Sequence, residues 1–132
     1  MLGRQWFSRK LTMKRTLILG ASPNPERYSN KATLMLSEKG HAVFPVGLRK
    51  GNINGHLILI NKPIIQNIDT VTLYVGAPNQ PEYYDYIVNQ IKPRRIIFNP
   101  RTENEELMRL AQKKGIKTEV ACTLVLLSIE NY

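Results

Sequence analysis

From residue 15 onward, strand and helix signals alternate along the chain, and this alternation limits the possible folds more than any other feature. Apolar runs of strand length, biased to β-branched or aromatic residues, occur at 16–20 (TLILG), 41–46 (HAVFPV), 70–75 (TVTLYV), 95–99 (RIIFN) and 117–121 (KTEVA). Helical patterns fall between most of them. In 29–39, Ala32, Met35 and Leu36 share a face and Gly40 terminates the pattern. In 80–91, Tyr84, Ile87, Val88 and Ile91 share a face, Pro81 sits in the first turn and Lys92-Pro93 ends the run. In the third pattern Thr102 and Glu105 have capping-box spacing, Leu107, Leu110 and Ala111 form the buried face, and Gly115 closes the helix.

Regular strand–helix–strand units imply parallel strands joined by right-handed crossovers, with helices covering both faces of one sheet. The expected fold class is therefore α/β: a Rossmann-like, doubly wound, mostly parallel sheet of about five or six strands. Residues 47–69 break the alternation. Their Gly and Asn suit turns, HLILI (56–60) suits a short edge strand, and the rest reads as a partly irregular crossover. Residues 123–132 suit a short final helix. The chain divides into one domain, 13–132, preceded by MLGRQWFSRKLT (1–12), which has no acid and no fold periodicity and reads as a weakly ordered basic tail.

At 132 residues the chain supports one core, so site and scaffold must share it. No apolar run approaches the ~18 residues of a membrane span. A single cysteine, Cys122, excludes an internal disulfide framework and a multi-cysteine zinc site, and no secretory segment is visible, so a cytoplasmic location is expected. Nineteen Lys and Arg against ten Asp and Glu give a net charge of +9, which raises nucleic acid, anionic surfaces or phosphate-rich small molecules as partners. Lys39, Lys92, Arg94, Arg95, Lys113, Lys114 and Lys117 fall at or beyond predicted helix ends, where a cation complements the dipole. No nucleic-acid stripe emerges from the remainder.

In an open parallel sheet the ligand crevice lies beyond the carboxyl ends of the strands, where strand order reverses beside the first strand. The loop GASPNPERYSNK (20–31) belongs there. Gly20 permits a tight turn and close backbone approach, Ser22 offers a hydroxyl, and free N–H groups before the helix suit a phosphate or pyrophosphate. Of the three glycines in the dinucleotide fingerprint G-x-G-x-x-G only the first is kept, the others being Ser22 and Pro25. The second strand lacks the acid that an NAD ribose requires. Instead Arg49 and Lys50 follow it, and a cationic end suits a phosphorylated ribose, as in coenzyme A or NADP.

These residues carry a resemblance. The stretch 17–46, then NINGHLI (52–58), DTVTLYVGAP (69–78) and VACTLV (120–125), resembles the small stand-alone CoA-binding domain proteins, relatives of the nucleotide-binding domain in the succinyl-CoA ligase α-subunit. Its most specific part is Gly20-Ala21-Ser22-x-Asn24-Pro25 with Tyr28-Ser29 shortly after. The resemblance implies a Rossmann-like fold binding coenzyme A or an acyl-CoA at the sheet's C-terminal edge. It implies Gly20, Ala21 and Ser22 at the pyrophosphate, Arg27, Ser29 and Lys31 near it, Arg49 and Lys50 facing the 3′-phosphorylated ribose, and Asn24 and Gly47 among the cofactor-binding residues. Gly76, Ala77 and Pro78 would line the adenine or pantetheine path. The chain departs from many relatives at Val46-Gly47-Leu48, where they have Val-Asn-Pro, and at Val120-Ala121-Cys122, where they have Asp-Arg-Cys.

Catalytic and metal-binding residues are not expected. His41 opens the second strand at the sheet end remote from the crevice, and His56 has no paired cysteine or carboxylate. Glu103, Glu105 and Glu106 are explained by one helix N-terminus. Tyr84 is core by periodicity and Tyr83 is exposed or stacks on a ring. Cys122 reads as a small apolar residue, with a mixed disulfide to the CoA thiol as the sharper hypothesis. The expected function is thus non-catalytic CoA binding, with an NADP-binding oxidoreductase or sensor and a basic nucleic-acid binder as rivals. A homodimer is the default for association.

Overall fold

The computed structural model describes residues 12–132, so the expected tail at 1–12 lies outside the described residues apart from Thr12. Five strands form the main sheet: β1 (Thr16–Leu19), β2 (Val43–Val46), β5 (Thr70–Leu73), β6 (Arg95–Phe98) and β7 (Lys117–Val120). All are parallel and their order is β2-β1-β5-β6-β7. Strand order reverses between β1 and β5, which fixes the switch point. The α/β, Rossmann-like class read from the alternation is the fold observed.

Successive side chains of a strand point to opposite faces, and the core divides accordingly. Leu17 and Leu19 join Val71, Leu73, Ile96 and Phe98 on one face, under Ile87, Val88, Ile91, Leu107 and Ala111. Ile18 faces the other way, toward Ala21, Leu36, Ile53, Ile58 and Leu127. Helix α1 (Tyr28–Glu38) and the C-terminal α3 (Thr123–Ser128) cover this second face and pack on each other. Helix α2 (Glu105–Lys113) covers the first, with the segment leading to β6.

The second face is partly polar. Arg95, read above as a helix-end cation, is instead a buried strand residue, 8% exposed. Its Nε donates to Thr70 Oγ1 at 3.0 Å and its Nη1 to Glu119 at 3.3 Å, and its guanidinium lies 4.7 Å from the Tyr132 ring centroid. The β6–β7 register sets Arg95 beside Lys117 and Ile97 beside Glu119, so one face of that pair carries this ion pair.

Three local expectations are corrected. The segment 80–91 is not a regular α-helix: 3-10 turns at Ala77–Asn79 and Pro81–Tyr83 lead into a π-helical stretch, Tyr86–Ile91, closed by Lys92 in the left-handed region at φ 52°. Tyr83, at the end of the second 3-10 turn, and Tyr86, at the start of the π-helical stretch, are both buried, while Tyr84 is only half-buried. Tyr86 donates to the Pro63 carbonyl at 2.6 Å, and burial pushes its pKa up to about 12. Second, α2 is capped by Asn104, whose Oδ1 accepts from the Leu107 N–H, rather than by Thr102. Thr102 is buried and donates to the Asn99 carbonyl.

Third, the segment 47–69 contains more order than its irregular pattern implied. β3 (Asn52–Ile53) and β4 (His56–Leu57) form an antiparallel hairpin. Its two turn residues, Asn54 and Gly55, both have positive φ, at 48° and 90°, as an Asn-Gly hairpin turn requires. Leu59 then bridges Val46 in parallel, which covers the outer edge of β2.

Candidate functional site

The loop after β1 is held by its own hydrogen bonds. Gly20 and Ala21 both donate their N–H groups to the Val46 carbonyl at 2.9 Å, so these two amides are engaged with β2 rather than free for a ligand. Ser22 Oγ accepts from Asn24 N–H, and Asn24 Oδ1 accepts from Glu26 N–H, a chain of side-chain-to-backbone turns across the two prolines. Asn30, 4% exposed, donates from Nδ2 to the Ser22 carbonyl at 2.9 Å and pins the loop to the first turn of α1. Sequence reading passed over Asn30 because its polarity fits an exposed first turn equally well.

Helix α1 begins without a cap. Arg27 at the cap position makes no side-chain cap bond, and the first turn contains no acid. The amides of Asn30 and Lys31 fold back to the Arg27 carbonyl. Those of Ser22, Tyr28 and Ser29 have no acceptor among the described residues. An uncapped N-terminus with free amides and a positive dipole end attracts an anion. The flanking cations are available: Arg27, Arg49 and Lys50 are exposed and enter no ion pair among the described residues, and Lys31 stacks over the Tyr28 ring at 5.7 Å. Ser29 is 4% exposed, so its side chain packs within the fold while its amide remains at the helix end.

Close approach between loops dictates three glycines. At Gly47 an added Cβ would lie 2.3 Å from the Ala21 carbonyl oxygen, so the end of β2 runs directly against the loop after β1. Gly20 has φ 96°, and a Cβ there would stand 3.0 Å from the Tyr74 backbone. A Cβ at Gly51 would meet Pro23, which brings the Arg49–Lys50 segment onto the same ridge as the first loop. The departure Val46-Gly47-Leu48 thus has a packing cause.

The third wall follows β5. Gly76, Ala77 and Pro78 enter the first 3-10 turn at the rim, with Gly76 and Pro78 exposed. Behind them Gln80, fully buried, donates from Nε2 to the carbonyls of Val75 and Thr102, both at 2.8 Å, and accepts from Asn104. Asn99, 1% exposed, donates to Thr72 Oγ1 and the Leu73 carbonyl and accepts from Thr123 N–H. These two amides tie the loops after β5 and β6 to the start of α3. Neither carries a signal in one sequence, since their value lies in long-range partners. Arg101, also on this edge, is exposed and held at φ 75°.

Tyr74 closes the floor. Its hydroxyl is buried beside Thr72 and Thr123, whose own hydroxyls bond each other at 2.8 Å, and burial raises its pKa. Cys122, half-buried, occupies the cap position of α3 near Tyr74. The histidines lie elsewhere. His41 Nδ1 accepts from Lys14 N–H at the opposite sheet edge, and its pKa is lowered by burial and by the neighbouring Lys14 and Arg95. His56 Nε2 meets Ser37 Oγ at 3.1 Å. Among the described residues no group of three His, Cys, Asp or Glu could hold a metal ion, and no helix is long and apolar enough to cross a membrane.

A parallel sheet with its switch point between β1 and β5, with three loops around an uncapped helix at that edge, defines a Rossmann-like α/β protein. The sequence matches the CoA binding domain family over residues 14–128, and the chain belongs to that family. No curated protein matches the sequence. Among solved structures, one described only as an uncharacterized protein is 46% identical, covers 92% of this chain and 99% of its own, and has a TM-score of 0.89. A hypothetical protein from Pyrococcus horikoshii OT3 is 25% identical over 92% of this chain and 87% of its own, with a TM-score of 0.76. A protein from Thermus thermophilus, 16% identical and covering 100% of both chains, shares the fold at a TM-score of 0.79.

Proposed function

We propose that the protein binds coenzyme A or an acyl-CoA at the C-terminal edge of its sheet and acts as a binding module rather than a catalyst. The observation that carries this reading is the uncapped, acid-free N-terminus of α1 beside exposed cations. The pyrophosphate lies over the Ser22, Tyr28 and Ser29 amides, with Gly20, Ala21 and Asn24 shaping the loop beneath and Arg27 and Lys31 at its sides. Arg49 and Lys50, carried against the first loop by the close contacts of Gly47 and Gly51, face the 3′-phosphate. Gly76, Ala77 and Pro78 line the path of the adenine or the pantetheine. Family membership supports the ligand class, and the absence of an acid after β2 disfavours NAD.

Both histidines have structural partners outside this edge, which supports a binder over an acid–base catalyst. Calorimetry with CoA, dephospho-CoA, NADP and NAD tests the reading. Binding of CoA well above dephospho-CoA, with NAD inert, is the expected result. Binding of NADP but not CoA overturns it in favour of a redox cofactor.

A further inference from the structure

The sheet has two edges of different character. Leu59 covers the outer edge of β2 by its bridge to Val46, whereas no described strand lies beyond β7. The amides of Lys117 and Ala121 donate inward, to the carbonyls of Arg94 and Phe98 on the β6 side. Backbone groups alternate along a strand, so Thr118 and Val120 turn their N–H and C=O groups outward. The strand has none of the devices that blunt a free edge by shape: no proline, no bulge and full extension over four residues. Val120 on the strand is 58% exposed.

We propose that β7 is a docking edge for a second copy of this chain, paired antiparallel about a two-fold axis through Thr118. Charge selects the partner and the register. Only residues with outward groups can form a hydrogen-bonded antiparallel pair, so the axis passes through Thr118, Glu119 or Val120. An axis at Glu119 sets that carboxylate against its own copy. An axis at Val120 runs the pairing past the strand end into Ala121 and Cys122. With the axis at Thr118, the two Thr118 residues exchange N–H···O bonds, and each Lys117 stands directly opposite Glu119 of the second copy, twice by symmetry.

Lys117 is exposed and enters no ion pair among the described residues. Glu119 keeps 28% of its side chain accessible while Oε1 meets Arg95. Its second oxygen is free to accept from the opposing lysine. The strand's Lys-x-Glu spacing is therefore self-complementary, and the exposed Val120 lies at its C-terminal end.

Sedimentation velocity of the whole chain over a concentration series tests this. The expected result is a reversible monomer–dimer equilibrium, abolished by Thr118→Pro, which removes the outward N–H at a position where an edge strand tolerates proline. Lys117→Glu, on an exposed side chain, keeps the test decisive if the proline variant misfolds. It turns two attractions into repulsions and raises the dimer dissociation constant about tenfold at low salt. In the wild type, hydrogen exchange slows at the Thr118 and Val120 amides as concentration rises. A chain that stays monomeric throughout overturns the proposal, as does a dimer indifferent to Lys117→Glu or one in which those two amides exchange freely.

Discussion

At Gly47 a single methyl group separates two kinds of glycine. A Cβ would stand 2.3 Å from the Ala21 oxygen, inside any real contact, and the obstacle is backbone that cannot rotate away. Gly76 lies on the same rim, yet its Cβ would meet nothing nearer than Pro78 Cδ at 3.9 Å, and its φ of −61° suits any residue. Gly47→Ala is therefore expected to cost about 1–3 kcal/mol as the loop after β1 is pushed outward, and to weaken CoA binding with it. Gly76→Ala is expected to change stability by no more than about 0.5 kcal/mol. Thermal unfolding with parallel calorimetry checks both, and equal behaviour of the two variants would remove the packing role assigned to Gly47. The sequence placed both glycines at the site through a family resemblance, but their different physical duties depend on neighbours distant along the chain.

At the scale of elements, strands were more legible than helix ends. The central strands β1, β5 and β6 are buried throughout, a signal that survives in one sequence because both faces need mostly apolar or β-branched residues, whereas β2 and β7 at the sheet edges are only partly buried. The segment 80–91 misled because its apolar spacing fits an α-helix, while Pro81 and the buried Gln80 anchor tighten the backbone into 3-10 turns first. A similar competition decided the start of α2. Thr102 and Glu105 have capping-box spacing, but Thr102 is drawn inward by the Asn99 carbonyl, and Asn104 takes the cap.

Asn104 also donates to Gln80 and to Tyr84, so its loss touches the third wall of the site as well as the helix. Asn104→Ala is expected to lower stability by about 1–2 kcal/mol. Glu105→Ala, at a side chain 92% exposed, is expected to stay within about 0.5 kcal/mol. Denaturant unfolding of the two variants decides between the observed cap and the capping box, which makes Glu105 the costlier loss.

For the molecule as a whole, the charge of +9 acquires meaning only once its cations are placed. Arg95 is consumed inside the sheet, Arg15 is tied to the carbonyls of Gln66 and Asn67, and Lys14 donates to the Tyr132 carbonyl, all away from the crevice edge. Arg27, Arg49 and Lys50 remain exposed on the loops after β1 and β2. Excess charge drawn from the whole surface would attract every nucleotide alike and weaken uniformly with salt. Two cations at one phosphate, as proposed for Arg49 and Lys50, would discriminate instead.

In the double variant Arg49→Ala/Lys50→Ala, CoA affinity is expected to fall roughly tenfold, at about 0.5–1 kcal/mol for each exposed cation. Dephospho-CoA affinity should be nearly unchanged, because the group proposed for these cations is already missing. Thermal stabilisation by each ligand reads the same difference, since a ligand at about 100 times its dissociation constant raises stability by about 2.7 kcal/mol. Equal losses for the two ligands would assign Arg49 and Lys50 to the general field of the protein and leave the helix N-terminus as the sole anchor.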